Sequence, residues 1–269
     1  MKLGAHTFGF VWHCGPEDAF DALANIGIRY VQLMATAPHF DPFVTDVPRT
    51  NRLRNILARN GQTAIALDLA SSDVNLASPS SDVRRFAFDA YARAIARAAS
   101  IGMEWVCIGS GRRHGLMPNA NAQLMDPFRR VFADLRREAQ RQGVRLILEN
   151  HPQGLLHTAE LMADFLDREG HADLPVIYDV ANAVAVGEDP VEGLARLGEK
   201  THIVHLSDAP KGRWGHDPIG SGDIDFASIG RALAASKFDG YVVLEILCDH
   251  PAEAIADGAT RLRGMGYPI

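Results

Sequence analysis

The chain is poor in cysteine, and its three residues of that type, Cys14, Cys107 and Cys248, are odd in number, widely spaced and without a CxxC pair. That leaves no zinc-knuckle or redox signature, and all three are expected to be reduced thiols of a cytosolic protein. A basic excess is also missing: 27 Lys and Arg against 33 Asp and Glu give a formal charge of −6. Partners rich in phosphate are normally met by a positive stripe, so neither nucleic acid nor an anionic membrane is expected as the main partner. Small-molecule chemistry becomes the default. No segment approaches 18 apolar residues, and Gly4 and His6 interrupt the N-terminus before any run long enough for a signal peptide, so a cytoplasmic location is expected. The 24 Gly and 14 Pro follow no period and no linker breaks the chain, which excludes collagen-like and low-complexity architectures.

What is present is an alternation that runs from end to end. Eight short apolar runs, at 2–8, 30–35, 63–69, 105–109, 145–150, 175–180, 202–207 and 241–247, read as strands. Eight segments of helical periodicity lie between and after them, at 16–26, 49–59, 83–100, 127–141, 158–168, 190–197, 226–236 and 251–265. Gly61, Gly102, Gly143 and Gly240 each fall just before a strand, where a helix ending in the left-handed conformation wants a glycine. The strands are apolar through most of their length and charged only near the end, as parallel strands buried on both faces should be. Eight unbroken βα units over 269 residues predict an α/β fold with a closed sheet, a single (β/α)8 TIM barrel spanning 1–269 as one domain.

The polar residues fall at the C-terminal strand ends, where barrels of this kind build their sites. Strand five ends in Glu149-Asn150-His151, strand six in Asp179, strand seven in His205-Leu206-Ser207-Asp208 and strand eight in Glu245. Three carboxylates buried at one mouth would repel one another at a cost of several kcal/mol, on the order of what an uncompensated buried charge costs, unless a cation is present. A divalent ion is the economical explanation. Two Glu, one Asp and one His form a mainly oxygen donor set that suits Mn²⁺ or Mg²⁺, admits Co²⁺ and disfavours structural zinc. A register slip of one residue would put Asp208 in place of Asp179.

These residues carry a resemblance. Leu-Ile-Leu-Glu149-Asn-His, Ile-Tyr-Asp179-Val-Ala-Asn, His-Ile-Val-His205-Leu-Ser-Asp, Gly220-Ser-Gly-Asp-Ile-Asp225-Phe and Val-Val-Leu-Glu245 resemble the xylose isomerase-like TIM barrel family. Within it they are most similar to the sugar (phosphate) isomerase/epimerase branch of ketose 3-epimerases, hydroxypyruvate isomerases and inosose dehydratases. The resemblance implies one divalent ion on Glu149, Asp179, His205 and Glu245, the two glutamates doubling as acid/base groups on opposite faces of a sugar. It further implies a homodimer or homotetramer. Ketose 3-epimerases usually place a histidine three residues after the strand-six aspartate, and this chain has Asn182 there. The same missing histidine and the acidic charge count against the apurinic endonuclease branch.

Further substrate-binding candidates surround this set, Asn182 among them. His151 lies two residues beyond Glu149 and shares its side of the strand. His6 ends strand one, while Trp12, His13 and His39 occupy the first two βα loops, from which an aromatic wall could come. The long polar loop after strand seven holds Arg213, able to grip a carboxylate or phosphate bidentately, and His216. Gly220-x-Gly222 could cradle a phosphate but is more often a tight turn, and Asp225 reads as a helix N-cap. Arg129, Arg130, Arg136 and Arg137 belong to solvated outer faces.

The chemistry expected of such groups is proton abstraction next to a carbonyl that the ion polarises, through an enediolate, with Glu149 or Glu245 as the base. Isomerisation and epimerisation are the first expectation. Dehydration of a keto-inositol or similar keto sugar, and a non-catalytic ligand-binding barrel, are the alternatives.

Overall fold

The computed structural model describes residues 1–70, 74–113 and 121–269. Eight parallel strands close into a barrel in sequence order, each bonded to its neighbours in the chain and β1 bonded to β8. They are β1 Lys2–His6, β2 Tyr30–Ala35, β3 Thr63–Leu69, β4 Trp105–Ile108, β5 Arg145–Glu149, β6 Val176–Asp179, β7 Thr201–Leu206 and β8 Tyr241–Leu244. The helices are α1 Pro16–Asn25, α2 Val47–Asn60, α3 Ser81–Ile101, α4 Asn121–Arg141, α5 Ala159–Arg168, α6 Val180–Ala185, α7 Pro190–Leu197, α8 Phe226–Ala235 and α9 Pro251–Gly264.

Several boundaries move from the sequence-based expectation. Strand one stops at His6, because Phe8–Phe10 turn into a short 3₁₀ helix that carries the chain across the barrel mouth. Strand eight stops at Leu244, although the Glu245 amide still bonds Leu206 O at 3.1 Å. An additional helix, α6, follows strand six directly, since Asp179 both ends the strand and caps the helix by accepting from the Asn182 amide. Gly61 and Gly102 take the expected left-handed conformation at helix ends, with φ of 60° and 91°. Gly240 does not: the left-handed residue after α8 is Lys237, at φ 56°. Gly240 is needed for another reason, because a Cβ there would come within 2.3 Å of His202 O. Asp225 caps α8 as expected, its side chain accepting from the Ser228 amide.

Strand alternation sorts the apolar residues into two bodies. One face of each strand packs under the helices in the main core, with Val31, Leu67, Val106, Leu148, Tyr178, Val204 and Leu244 among its buried members. The other face fills the barrel interior with Ala66, Trp105, Cys107, Ile147, Ile177, Ile203 and Val243, joined by Ile65, the extra residue where β3 slips in register against β2. Two residues further along four of these strands, the same inward face carries Glu149, Asp179, His205 and Glu245.

Candidate functional site

Asp179 and His205 sit opposite one another in the β6–β7 ladder, which sets their spacing by backbone register. Asn150 extends the neighbouring strands with its side chain: Oδ1 accepts the Asp179 amide at 2.7 Å and Nδ2 donates to Asp179 O at 2.9 Å. Asp179 Oδ1 is engaged by the Asn182 amide at 2.8 Å, leaving Oδ2 to face the barrel axis. Around His205 Nδ1 lie Glu149 Oε1 at 3.1 Å, Glu245 Oε2 at 3.1 Å and Asp179 Oδ2 at 3.7 Å. One donor atom from each of the four residues falls within 4.8 Å of the others.

The other His205 nitrogen settles how the ring is used. Nε2 is 2.8 Å from Gln32 Oε1, an acceptor, so Nε2 carries a hydrogen and Nδ1 presents its lone pair to the carboxylates when the ring is neutral. Asp179 Oδ2 and His205 Nδ1 are both buried and without a hydrogen-bond partner. Two orphaned donor atoms converging with two glutamates, behind a fixed tautomer, are what a divalent cation would satisfy, and the residues fit one. The charges tell the same story. Burial pushes the Glu149 carboxyl up to about 7 in spite of His205 beside it. Burial opposes charge on His205 as well, yet Glu245 and the other carboxylates hold its proton well above the ordinary histidine range. Burial would likewise raise Glu245, but His205, His216 and His6 keep it well below the usual carboxylate range.

A cavity of about 470 Å³ opens over this group. Glu149, Glu245, His151, Asn182 and His216 line it. His216 Nδ1 is 3.0 Å from Ser207 Oγ and 3.6 Å from Glu245 Oε2. Asn182 Oδ1 accepts the Trp214 indole N–H at 2.7 Å, and His151 packs edge-on against the same indole at 5.1 Å. Asn182 therefore positions an aromatic wall, a use that the sequence did not reveal. His6 is wholly buried and behind the lining, with Nδ1 3.8 Å from Glu245 Oε1.

Other candidates stand apart from the cavity. Arg213 is exposed and paired with Asp217, and Trp12 is 82% exposed; neither lines the cavity. His13 is exposed, and His39 is a buried packing residue held by Cys14 O at 2.6 Å and Thr7 Oγ1 at 3.1 Å. Asp208 is spent on its own loop, accepting the amides of Ala209, Gly220 and Ile224. Gly220-x-Gly222 thus wraps a carboxylate of the chain itself, and a Cβ on Gly222 would lie 2.4 Å from Asp208 Oδ1. The site also contains residues that were not singled out from sequence: Gln32, Asp68, Cys107 and Asn150. Each is a polar or thiol side chain within or just after an apolar strand, the same signal that exposed Glu149.

An eight-stranded α/β barrel with a carboxylate–histidine cluster at its C-terminal mouth defines the class. The model of the xylose isomerase-like TIM barrel family matches residues 20–265, and the chain belongs to that family. It is 25% identical over 278 residues to a ketose 3-epimerase of Arthrobacter globiformis, covering 98% of this chain and 89% of the relative. It is 24% identical over 243 residues to the D-psicose 3-epimerase of Ruminiclostridium cellulolyticum, covering 87% and 79%. In fold it is similar to the crystal structure of a D-tagatose 3-epimerase-like protein, with a TM-score of 0.84, 20% identity and 98% of each chain covered.

Proposed function

We propose that this chain is a divalent-metal-dependent isomerase or epimerase of a ketose or related keto sugar. The observation that carries the reading is the convergence of Glu149, Asp179, His205 and Glu245, with two buried donor atoms left unpartnered, beneath a cavity of sugar size. Similarity to ketose 3-epimerases over nearly the whole chain supports it.

Glu149, Asp179, His205 and Glu245 would hold one ion, Mn²⁺ or Mg²⁺ by donor type, with Co²⁺ also suited. Once bound, the ion supplies Lewis acidity that stabilises the negative charge developing on oxygen when a carbon acid next to a carbonyl is deprotonated. The chain's own groups do the rest. Glu149 at the end of β5 and Glu245 just beyond β8 both line the cavity, so a bound sugar would meet one carboxylate on each face. Either glutamate can take the proton, and its return to the neighbouring carbon isomerises the sugar while delivery by the second glutamate to the opposite face inverts the centre. Trp214, His151 and His216 bound the cavity, positioning the sugar and excluding water. The remaining expectations belong with this reading: one domain, a cytoplasmic enzyme of a small-molecule carbohydrate, keto sugar or sugar phosphate, rather than nucleic acid, working as a homodimer or homotetramer.

The test is hydrogen exchange. Mn²⁺-loaded protein incubated with ketoses in D₂O should wash solvent deuterium into the carbon next to the carbonyl, and Glu245→Gln should abolish the exchange. Full exchange by that variant would remove Glu245 from the mechanism, and an enone or dione absorbance with the native protein would make the enzyme a dehydratase instead.

A further inference from the structure

One acidic side chain on the cavity wall takes no part in the scheme above. Asp68 lies on β3 beside Cys107 of β4 and lines the cavity with its side chain 12% exposed. A carboxylate so nearly dry needs donors. His6 faces it: Nδ1 accepts the Phe8 amide at 3.0 Å, which places the hydrogen of the neutral ring on Nε2, and Nε2 is 3.4 Å from Asp68 Oδ2. The two do not close into a hydrogen bond, and Nε2 is a buried ring nitrogen without a partner. Cys107 spends its thiol on Glu149 Oε2 at 3.4 Å. Donor atoms of Asp68, Cys107 and Glu149 fall within 4.8 Å of one another, so this wall brings two carboxylates together with little to separate them. His6, Asp68 and Glu245 form a similar trio. With its hydrogen on Nε2, His6 turns a donor rather than a lone pair toward that trio, which leaves Asp68 and Glu245 as hydrogen-bond acceptors and not as part of a second ion site.

We infer that Asp68 accepts a hydroxyl of the substrate on the β3 side of the cavity, and so selects polyhydroxylated ketoses over analogues deoxygenated at that carbon. The inference rests on the keto-sugar reading of the site. A hydroxyl donor gives Asp68 the partner that the protein withholds and lies between its charge and that of Glu149. Sites built around a substrate hydroxyl reject the analogue lacking it far more strongly than apolar pockets discriminate by size.

The experiment takes the full chain loaded with Mn²⁺, a panel of ketohexoses and their singly deoxygenated analogues, deuterium exchange as the readout and Mn²⁺ affinity in parallel. Asp68→Asn and Asp68→Ala should lower kcat/KM on the preferred ketose about 10- to 100-fold, the scale of a lost hydrogen bond to a charged group. On the analogue lacking the matched hydroxyl the loss should be under about threefold, because that contact is already gone, and Mn²⁺ affinity should be unchanged. Equal losses across the ketose and every analogue, or a fall in Mn²⁺ affinity alongside exchange, would overturn the assignment. If neither variant folds, the native enzyme alone decides, since indifference to every single deoxygenation also overturns it. A native protein that exchanges no ketose hydrogen sinks the keto-sugar reading and this assignment together; one that exchanges while the variants keep its hydroxyl preference sinks this assignment alone.

Discussion

The two mouths of the barrel are made by the same eight strands and differ in what each strand brings to the axis over an advance of about four residues, as from Tyr241 through Val243 to Glu245. At the N-terminal mouth, Tyr30 and Trp105 pack edge-on against Tyr241 at ring separations of 5.1 and 6.0 Å. Lys2 covers Tyr241 at 4.7 Å and Arg145 covers Trp105 at 5.4 Å. Above this plug sits a layer of Ile147, Ile177, Ile203 and Val243. One inward step further, each of those strands delivers a donor atom to the C-terminal mouth: Glu149, Asp179, His205 and Glu245. The lower end is closed by apolar and cation–π contacts. At the upper end, buried carboxylates are held close enough to repel, an arrangement that a positive charge among them would relieve. Stability and chemistry are thus stacked along one axis, and substitutions at the two levels should separate them.

The largest separation is expected from Glu149→Gln and Glu245→Gln. Each should cost at least about 10² to 10⁴ in exchange rate, the range attributed to a positioned general acid or base, while the melting temperature of ion-free protein stays level or rises as like-charge repulsion is relieved. Exchange assays paired with thermal melts check both halves. Trp105→Ala should do the reverse, destabilising the fold by about 3–5 kcal/mol through the cavity it leaves, with Mn²⁺ affinity retained wherever the protein remains folded. A denaturant titration measures the first, and an ion-affinity loss in the folded variant would show that the levels are coupled. Between them lies Gln32, which anchors His205 from β2. Gln32→Leu should weaken Mn²⁺ binding about 10- to 100-fold and Gln32→Glu should restore it, because the buried acceptor fixes the histidine tautomer. The smallest effect belongs to a position at neither mouth: Asp225→Ala, removing the α8 cap, should cost about 1 kcal/mol of stability and leave ion affinity untouched.

The barrel was legible in the sequence because eight apolar runs and eight helical periods, bounded by glycines such as Gly61 and Gly102, leave few other topologies. The quartet was legible for a related reason: a charge ending an otherwise apolar strand, as at Glu149 and Glu245, has no business in a core. The same logic extends to Gln32 and Asp68, which lie inside strands Tyr30–Ala35 and Thr63–Leu69, but only the closed register shows that they turn inward to meet His205 and His6. Loop residues were the least legible. Arg213 has the right chemistry for an anion, yet Asp217 four residues on takes its guanidinium. Asn182 has modest chemistry, yet it holds the Trp214 wall. Helix α6 leaves no separate signal in the sequence because its six residues follow a strand without a break and its cap, Asp179, is also a candidate ion ligand. In each case the deciding partner is set by tertiary contacts that local pattern does not encode.

The central claim, that a cation belongs among these four side chains, is tested most directly by titrating Mn²⁺ into ion-free protein and following the bound ion by electron paramagnetic resonance. One ion per chain is expected, with that uptake abolished in the double variant Asp179→Asn, His205→Ala. No uptake by the native chain, or undiminished uptake by the double variant, would contradict it.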